Sequence, residues 1–143
     1  MKLALISDIH GNLEALVSVL NQIEKQKVDK IYCLGDVIGY GSDPVSCLEL
    51  VGKNCDVKLM GNHEYTALGL TGTDDYNPAA RKSSDWTREQ LTDREQSIIA
   101  EYEMIHPTGD ILLVHASPHQ PDHCHYIMTP DADRRGWGSF DAK

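Results

Sequence analysis

The stretch KLALISDIHGNLEALVSVLNQIEKQKVDKIYCLGD, residues 2–36, places one amphipathic segment between two short apolar runs. The first run extends from Lys2 to Ser7 and stops at Asp8, as expected for a strand that is buried on both faces. From Leu13 to about Gln26, apolar residues recur every three or four positions, which predicts a helix that packs on a sheet. The second run, 31–34, ends just before Asp36. Strand, helix and strand in this order predict a βαβ unit with parallel strands.

The same alternation continues towards the end of the chain. A second helix, a third strand, a pair of helices and a fourth strand are predicted after residue 42. Thr92 and Glu95 have the spacing of a capping box, which separates the paired helices. The predicted bounds are a helix from Pro44, capped by Asp43, to about Gly52, a strand over 57–60, helices from Asn77 to about Met104, a turn at 107–109, a strand over 111–114 and a last helix opened by Thr129 and Pro130. We expect a single α/β domain over residues 1–143.

The composition is that of an acidic globular protein. Lys and Arg total 13 against 22 Asp and Glu, so the formal net charge is −9. This charge repels polyanions and argues against a protein that coats nucleic-acid duplexes, although bound cations would still attract phosphate. The N-terminus has neither a cleavage site nor an apolar span, so we expect no export and no membrane partner. Four cysteines without Cys-x-x-Cys spacing predict reduced thiols and a cytoplasmic protein. The sequence leaves the oligomeric state open, and a homo-oligomer is one possibility.

Polar side chains suited to metal binding follow each of the four predicted strands. In a sheet with helical crossovers, the carboxyl ends of the strands line one crevice, so we expect these side chains to meet there. The residues are Asp8 and His10 after the first strand, Asp36 after the second, Asn62 and His63 after the third, and His115 after the fourth. The sequence therefore predicts one site assembled from distant parts of the chain.

This mixture of carboxylate, imidazole and amide oxygen suits manganese, iron, zinc or nickel. Two such ions, about 3.5 to 4 Å apart, need a bridging carboxylate and hold a hydroxide between them that is a strong nucleophile. Asp36 lies in the middle of the set and is the predicted bridge. We expect Asp8 and His10 on one ion, and Asn62 and His115 on the other.

Simpler interpretations exist for each residue taken singly. An Asp or Asn after a strand usually caps a turn, and a buried His is more often a hydrogen-bonded core residue than a ligand. Three further histidines near His115 could act as replacement ligands, although a polar loop accounts for them equally well. They are His119, His123 and His125. The two tryptophans, Trp86 and Trp137, are expected to pack rather than to bind a ligand.

Four blocks of sequence resemble the successive motifs of calcineurin-like metallophosphoesterases, particularly those of the smaller bacterial and archaeal phosphodiesterases. The blocks are DIHGN (8–12), GDVIGYG (35–41), GNHE (61–64) and VHASP (114–118). The resemblance implies an αββα sandwich and supports the metal ligands assigned above. It also implies that His63 is the acid that protonates the leaving oxygen. Small phosphate mono- or diesters would then be hydrolysed by the metal-bridging hydroxide, while Asn62 and the cations neutralise the developing charge.

One motif of the resembled family has no counterpart in this chain. Its members add a Gly-His-x-His segment after the position of His115, and nothing after Ser117 matches it. We therefore expect a chain cut before that segment and a fold incomplete at its C-terminal end. Two functions are consistent with these observations: an active metallophosphoesterase, or an impaired member that binds a metal, a ligand or a partner.

Overall fold

The structure, a computed structural model, describes residues 1–73, 76–125 and 129–130. Three short parallel strands form its first sheet: β1 (Leu3–Ile6), β2 (Lys30–Cys33) and β3 (Val57–Lys58), in the order β1-β2-β3. Ile6 pairs with Cys33, and Cys33 in turn pairs with Lys58. Because the register aligns these three residues and the strands are parallel, the segments that follow β1, β2 and β3 all leave the sheet at the carboxyl ends of the strands, on one side.

Two helices follow β1 and β2 and supply much of the core. Helix α1 spans Leu13–Gln26, the predicted bounds, and the Asn12 side chain caps it by accepting a hydrogen bond from the N–H of Ala15. Helix α2 spans Pro44–Asn54. Buried side chains from β2, from the loop after it and from both helices form one cluster, which includes Leu16, Cys33, Val37, Ile38, Cys47, Leu48 and Val51. The loop that begins with Asp36 is therefore anchored in the core.

Three further helices follow β3. Helix α3 (Asn62–Ala67), which the sequence patterns did not predict, begins in the GNHE block, and it precedes α4 (Pro78–Gln90) and α5 (Asp93–Ala100). The predicted capping box of Thr92 and Glu95 is confirmed at the start of α5. The helix predicted to reach Met104 ends at Ala100 instead. Its continuation pairs with the end of the parallel sheet, because Glu103 exchanges backbone hydrogen bonds with Lys58 and Met60.

The fourth predicted strand belongs to a second sheet. It is confirmed as β5 (Ile111–Val114), but it pairs antiparallel with β4 (Ile105–Thr108), which the sequence patterns missed because Pro107 indicated a turn. The turn between these strands comprises Gly109, the last residue of the predicted turn, and Asp110. Leu113 of this hairpin packs in a cluster with Tyr32 of the parallel sheet, so the hairpin lies against the first sheet. A 3₁₀ helix, Pro121–His123, follows.

All four cysteines are free, as predicted, and three of them are buried. Burial raises the pKa of Cys33 to about 12, so its side chain is a packed thiol rather than a thiolate. Across the described part of the chain, no helix combines the length and apolarity needed to cross a membrane. The predicted last helix lies mostly outside the described residues, as does Trp137, while Trp86 is partly exposed on α4.

Candidate metal centre

The segments after β1 and β2 are joined by backbone hydrogen bonds. The N–H of Asp8 donates to the carbonyl of Gly35 (3.1 Å), and the N–H of His10 donates to the carbonyl of Asp36 (3.0 Å). The N–H of Gly41 returns a bond to the carbonyl of His10 (2.9 Å). These bonds bring the first two predicted motifs side by side.

Three of the predicted ligands have left-handed backbone conformations. The φ angles are 56° at Asp8, 51° at His10 and 52° at Asp36. A residue other than glycine in this region costs about 1–3 kcal/mol and persists where its surroundings hold it, which occurs most often at functional sites. Here the hydrogen bonds between the two segments and the buried residues after Asp36 maintain these conformations.

The Asp36 carboxylate lies at the centre of the cluster and is 4% exposed. Its Oδ1 accepts a hydrogen bond from the backbone N–H of His63 (3.0 Å). Its Oδ2 lies 3.5 Å from Nε2 of His115 and 3.8 Å from Nε2 of His10. One oxygen is thus fixed by the protein while the other faces two imidazoles, an orientation suited to a carboxylate shared between two cations.

Both imidazoles are oriented by backbone carbonyls on their far side. The Nδ1–H of His115 donates to the carbonyl of Leu34 (2.8 Å), and the Nδ1–H of His10 donates to that of Ile38 (3.1 Å). Because a carbonyl can only accept, Nδ1 carries the proton in each ring and Nε2 presents a lone pair when the ring is neutral. Metal-ligating histidines are held in this way, so the donors at this cluster fit divalent cations.

The charges of the cluster also shift its titration. Burial lowers the pKa of His115, but the hydrogen bond and negative charge of Asp36 outweigh it and raise this pKa to about 9. Burial raises the pKa of Asp36, yet the contacts with His115 and His63 leave it below its usual value. Without a cation, therefore, His115 and Asp36 form an ion pair at neutral pH. A bound cation would have to displace the proton from His115.

The GNHE block brings Asn62 and His63 to the same place. Asn62 donates a hydrogen bond from Nδ2 to the hydroxyl of Tyr76 (3.0 Å), so its carbonyl oxygen is the atom it can offer to a cation or a phosphate. The ring of His63 lies 4.9 Å from that of His10 between centroids. Burial lowers the pKa of His63, although the charge of Asp36 partly opposes this, so the ring is mainly neutral at pH 7.

Glu64 is a buried anchor in the GNHE block, and the sequence patterns indicated no role for it. Its side chain is fully buried, and its two oxygens accept hydrogen bonds from the backbone N–H groups of Asp36, Val37, Ile38 and Gly61, at 2.8 to 3.2 Å. Burial and then the charge of Asp36 hold the pKa of Glu64 above its usual value, although the amides of Gly61, Ile38 and Asp36 oppose this. Glu64 therefore joins the start of α3 to the loop that carries Asp36. Its position at N3 of a helix was the available signal.

Two glycines allow the loops to approach so closely. A Cβ on Gly61 would overlap the Asp36 carboxylate, and a Cβ on Gly39 would overlap the His63 ring. Gly39 also has a φ of 90°, which side-chain-bearing residues rarely adopt. The glycines of the quoted blocks therefore make room for the site.

The potential ligand atoms form two groups that share Asp36. Asp8, Asp36 and His115 form one group, and His10, Asp36 and His63 form the other, with ligand atoms within 4.8 Å of one another in each. Asp8 and His10, predicted to share one ion, fall in different groups, although Nε2 of His10 also lies 3.9 Å from Oδ1 of Asp8. The predicted pairing of Asn62 with His115 stays a prediction. His115 enters from the hairpin, on the side of Asp8.

The alternative ligands are members of neither group. The rings of His119, His123 and His125 stack on one another, with adjacent centroids 5.5 to 5.9 Å apart. Within residues 1–73, 76–125 and 129–130, none of them joins a group of three potential ligands. The loop histidines therefore do not substitute for the predicted set there.

Comparison with known proteins agrees with the geometry. A family model described as calcineurin-like phosphoesterase matches residues 1–137. The chain belongs to the calcineurin-like phosphoesterase family. An uncharacterized protein of Methanocaldococcus jannaschii is 36% identical over 134 residues, which cover 90% of this chain and 54% of that protein. A symmetrical bis(5′-nucleosyl)-tetraphosphatase of Erwinia tasmaniensis is 28% identical, with coverage of 81% and 49%. This chain thus spans about half the length of these curated relatives.

Solved structures confirm the predicted metallophosphoesterase fold. A metallophosphoesterase from Sphaerobacter thermophilus superposes on this chain with a TM-score of 0.83 and 35% identity, covering 99% of this chain and 57% of the other. A putative diadenosine tetraphosphatase superposes with a TM-score of 0.65 at 21% identity, which supports the fold alone. The chain is therefore a member of a hydrolase family with an α/β fold.

Proposed function

We propose that this chain forms a two-cation site that hydrolyses small phosphate mono- or diesters. The observation that carries the proposal is the Asp36 carboxylate, which faces two imidazole Nε2 atoms whose Nδ1 protons are committed to backbone carbonyls. Divalent cations bound there would activate a water molecule and neutralise the charge of the phosphoryl group. The side chains around them would bind, orient and transfer protons.

The proposed ligands are Asp8, His10, Asp36, Asn62 and His115, with Asp36 shared between the ions. Asp8 and His115 in one group with Asp36, and His10 in the other, support two cations rather than one. A donor set of oxygen and imidazole nitrogen favours manganese, iron, zinc or nickel over calcium or magnesium. The four free thiols support a reducing compartment, for which we propose the cytoplasm.

We propose that His63 stands beside the leaving oxygen. Its backbone N–H is bonded to Asp36, and its ring lies close to that of His10, so it adjoins the proposed cations. Because burial lowers its pKa, the ring is mainly neutral at pH 7 and would stabilise the leaving oxygen by donating an N–H hydrogen bond. Protonation of the ring at lower pH would make it a stronger acid.

A groove beside Asn62 offers room for a substrate. Its volume is about 850 Å³, within the range of small-molecule sites, and Tyr65, Tyr76 and His125 are among its lining residues. The tetraphosphatase relative acts, by its name, on small nucleotide phosphates. We propose a small phosphoester of this general size as the substrate.

Hydrolysis of p-nitrophenyl phosphate and bis(p-nitrophenyl) phosphate tests the proposal. Turnover should appear on addition of Mn²⁺ or Ni²⁺ and should fall at least a hundredfold in Asp36→Asn, together with loss of metal binding. Asp85→Asn is the matched control, because it removes the same charge from an exposed position on α4. No turnover with any of the four metals would reject hydrolysis by this chain.

A second experiment tests the role of His63. In His63→Gln the loss of turnover should be larger for a methyl ester than for a p-nitrophenyl ester, because p-nitrophenolate leaves without a proton. Equal losses for both esters, or a loss of one bound metal, would instead place His63 among the ligands.

A second candidate function is metal or ligand binding with impaired turnover, because the donor atoms around Asp36 could hold a cation without any hydrolysis. Calorimetric titration with Mn²⁺ separates the two. Two sites per chain with turnover support the hydrolase, whereas one site or none without turnover supports the binding module.

A further inference from the structure

Tyr40 is an exposed aromatic residue at the edge of the metal centre. It is 55% exposed, among the most exposed large apolar side chains of the described residues. Its ring centroid lies 4.8 Å from that of His10 and 4.7 Å from that of His63, with interplanar angles of 71° and 60°. One part of the Tyr40 ring therefore contacts two site histidines, while much of the remainder faces solvent.

The backbone holds Tyr40 in this place at a cost. Its φ is 60°, in the left-handed region that is unfavourable for a bulky side chain. The N–H of Tyr40 donates to Oγ of Ser83 on α4 (2.8 Å), and the neighbouring Gly41 is bonded to His10. Because the ring is more than half exposed, the burial of its apolar surface offsets little of this backbone strain. Packing alone therefore accounts poorly for an aromatic residue at this position.

The position of Tyr40 relates it to the leaving group. His63 is proposed to stand beside the leaving oxygen, and Tyr40 lies one ring width from His63. A group carried by the leaving oxygen would therefore lie within reach of the Tyr40 ring. A planar heteroaromatic group could stack on that ring, and a base stacked on an aromatic side chain gains about 1–3 kcal/mol.

We propose that Tyr40 determines specificity by stacking against a planar heteroaromatic ring on the leaving alcohol, so that the site prefers nucleoside phosphates to simple sugar phosphates. This inference rests on the proposed function of the same centre. The plain alternative is a positioning role, in which Tyr40 only keeps His10 and His63 in place. The two roles differ in how a substitution affects matched substrates.

Adenosine 5′-monophosphate and ribose 5-phosphate are suitable matched substrates, because both release a primary sugar hydroxyl and differ in the base. With the Mn²⁺-loaded chain, kcat/KM should favour the nucleotide. The preference should fall about five- to tenfold in Tyr40→Leu and should persist in Tyr40→Phe, which keeps the ring. Trp86→Leu is the control, because it removes another partly exposed aromatic side chain. The preference of this variant for the nucleotide over ribose 5-phosphate should equal that of the wild type. Equal losses for both substrates in Tyr40→Leu would overturn the inference in favour of a positioning role.

Binding measured by calorimetry separates this inference from the proposed function. If neither ester is hydrolysed but the nucleotide binds more tightly than ribose 5-phosphate only when residue 40 is aromatic, the proposed function fails and the recognition stands. If both esters are hydrolysed without a preference that depends on Tyr40, the function stands and this inference fails. If neither compound binds or is hydrolysed, both are overturned.

Discussion

Replacing Glu64 by Gln should destabilise both the fold and the metal centre. The two Glu64 oxygens accept four backbone hydrogen bonds, and the amide nitrogen of a glutamine would face two of the donors. Two hydrogen bonds to a charged group would be lost, at about 1.5–3 kcal/mol each. Removal of a buried charge near Asp36 offsets part of this loss, because burial and Asp36 both disfavour the ionised form. We expect a net destabilisation of about 2–4 kcal/mol, a large share of a typical stability of about 5–15 kcal/mol.

The consequence for metal binding follows from the position of the loop. Three of the four donors are the N–H groups of residues 36–38, so the Asp36 carboxylate should lose its fixed orientation. Loss of a supporting partner behind a metal ligand typically lowers metal affinity about 10- to 100-fold. Urea denaturation measures the stability of each variant, and calorimetric titration with Mn²⁺ measures the affinity under conditions where the variant is folded.

Glu95→Gln is the matched control for this experiment. Glu95 has the same N3 position in the capping box of α5, but its hydrogen bonds go to Thr92 and not to the metal centre. Its replacement should reduce stability while metal affinity stays as in the wild type. The reasoning would be refuted by a Glu64→Gln variant whose stability lies within about 0.5 kcal/mol of the wild type, the range of ordinary surface substitutions. It would equally be refuted by unchanged metal affinity.

Four further predictions concern the metal centre and the capping box of α5. In Gly39→Ala the new Cβ should displace the His63 ring, so turnover should fall at least tenfold, while calorimetry should still find two bound Mn²⁺ ions. Unchanged turnover would contradict the close approach of Gly39 to the His63 ring. Because the pKa of His115 is about 9, metal binding at pH 7 should release about one proton, seen as a binding heat that depends on the buffer, and affinity should rise between pH 7 and 9. This pKa of His115 in the folded chain exceeds the ordinary value of 6.5, so the His115–Asp36 pair stabilises the metal-free fold fully below about pH 6.5. That stabilisation is lost as His115 loses its proton, and the melting temperature should therefore decline as pH rises through 9. Thr92→Ala should cost about 1 kcal/mol in urea denaturation, as for other capping residues, and leave metal binding unchanged.

Local patterns predicted the elements whose stability depends on their own residues. The bounds of α1 and β5 are as predicted, since apolar periodicity and flanking polar residues define them. The capping box at Thr92 was also predicted, because its hydrogen bonds join residues only three apart. Such features depend on short-range geometry, which the order of residues encodes directly.

Predictions failed where a distant partner overrides the local preference. Residues beyond Ala100 have a helical pattern, yet Glu103 pairs with the end of the first sheet, which gains two backbone hydrogen bonds. Pro107 indicated a turn, but it lies in the two-stranded sheet, where it pairs with Leu112. In both cases, pairing between separate segments outweighed an intrinsic preference of the local sequence.

The candidate site divides in the same way. The residue types at the ends of the strands, and the chemistry that they favour, can be read from the sequence alone. Their arrangement depends on tertiary contacts: His115 is oriented by a carbonyl 81 residues away, and Glu64 accepts a hydrogen bond from an amide 28 residues away. Only the folded chain determines which oxygen of Asp36 faces the imidazoles and which ring nitrogen is free. These choices depend on hydrogen bonds between segments that meet only when the two sheets and their loops have packed together.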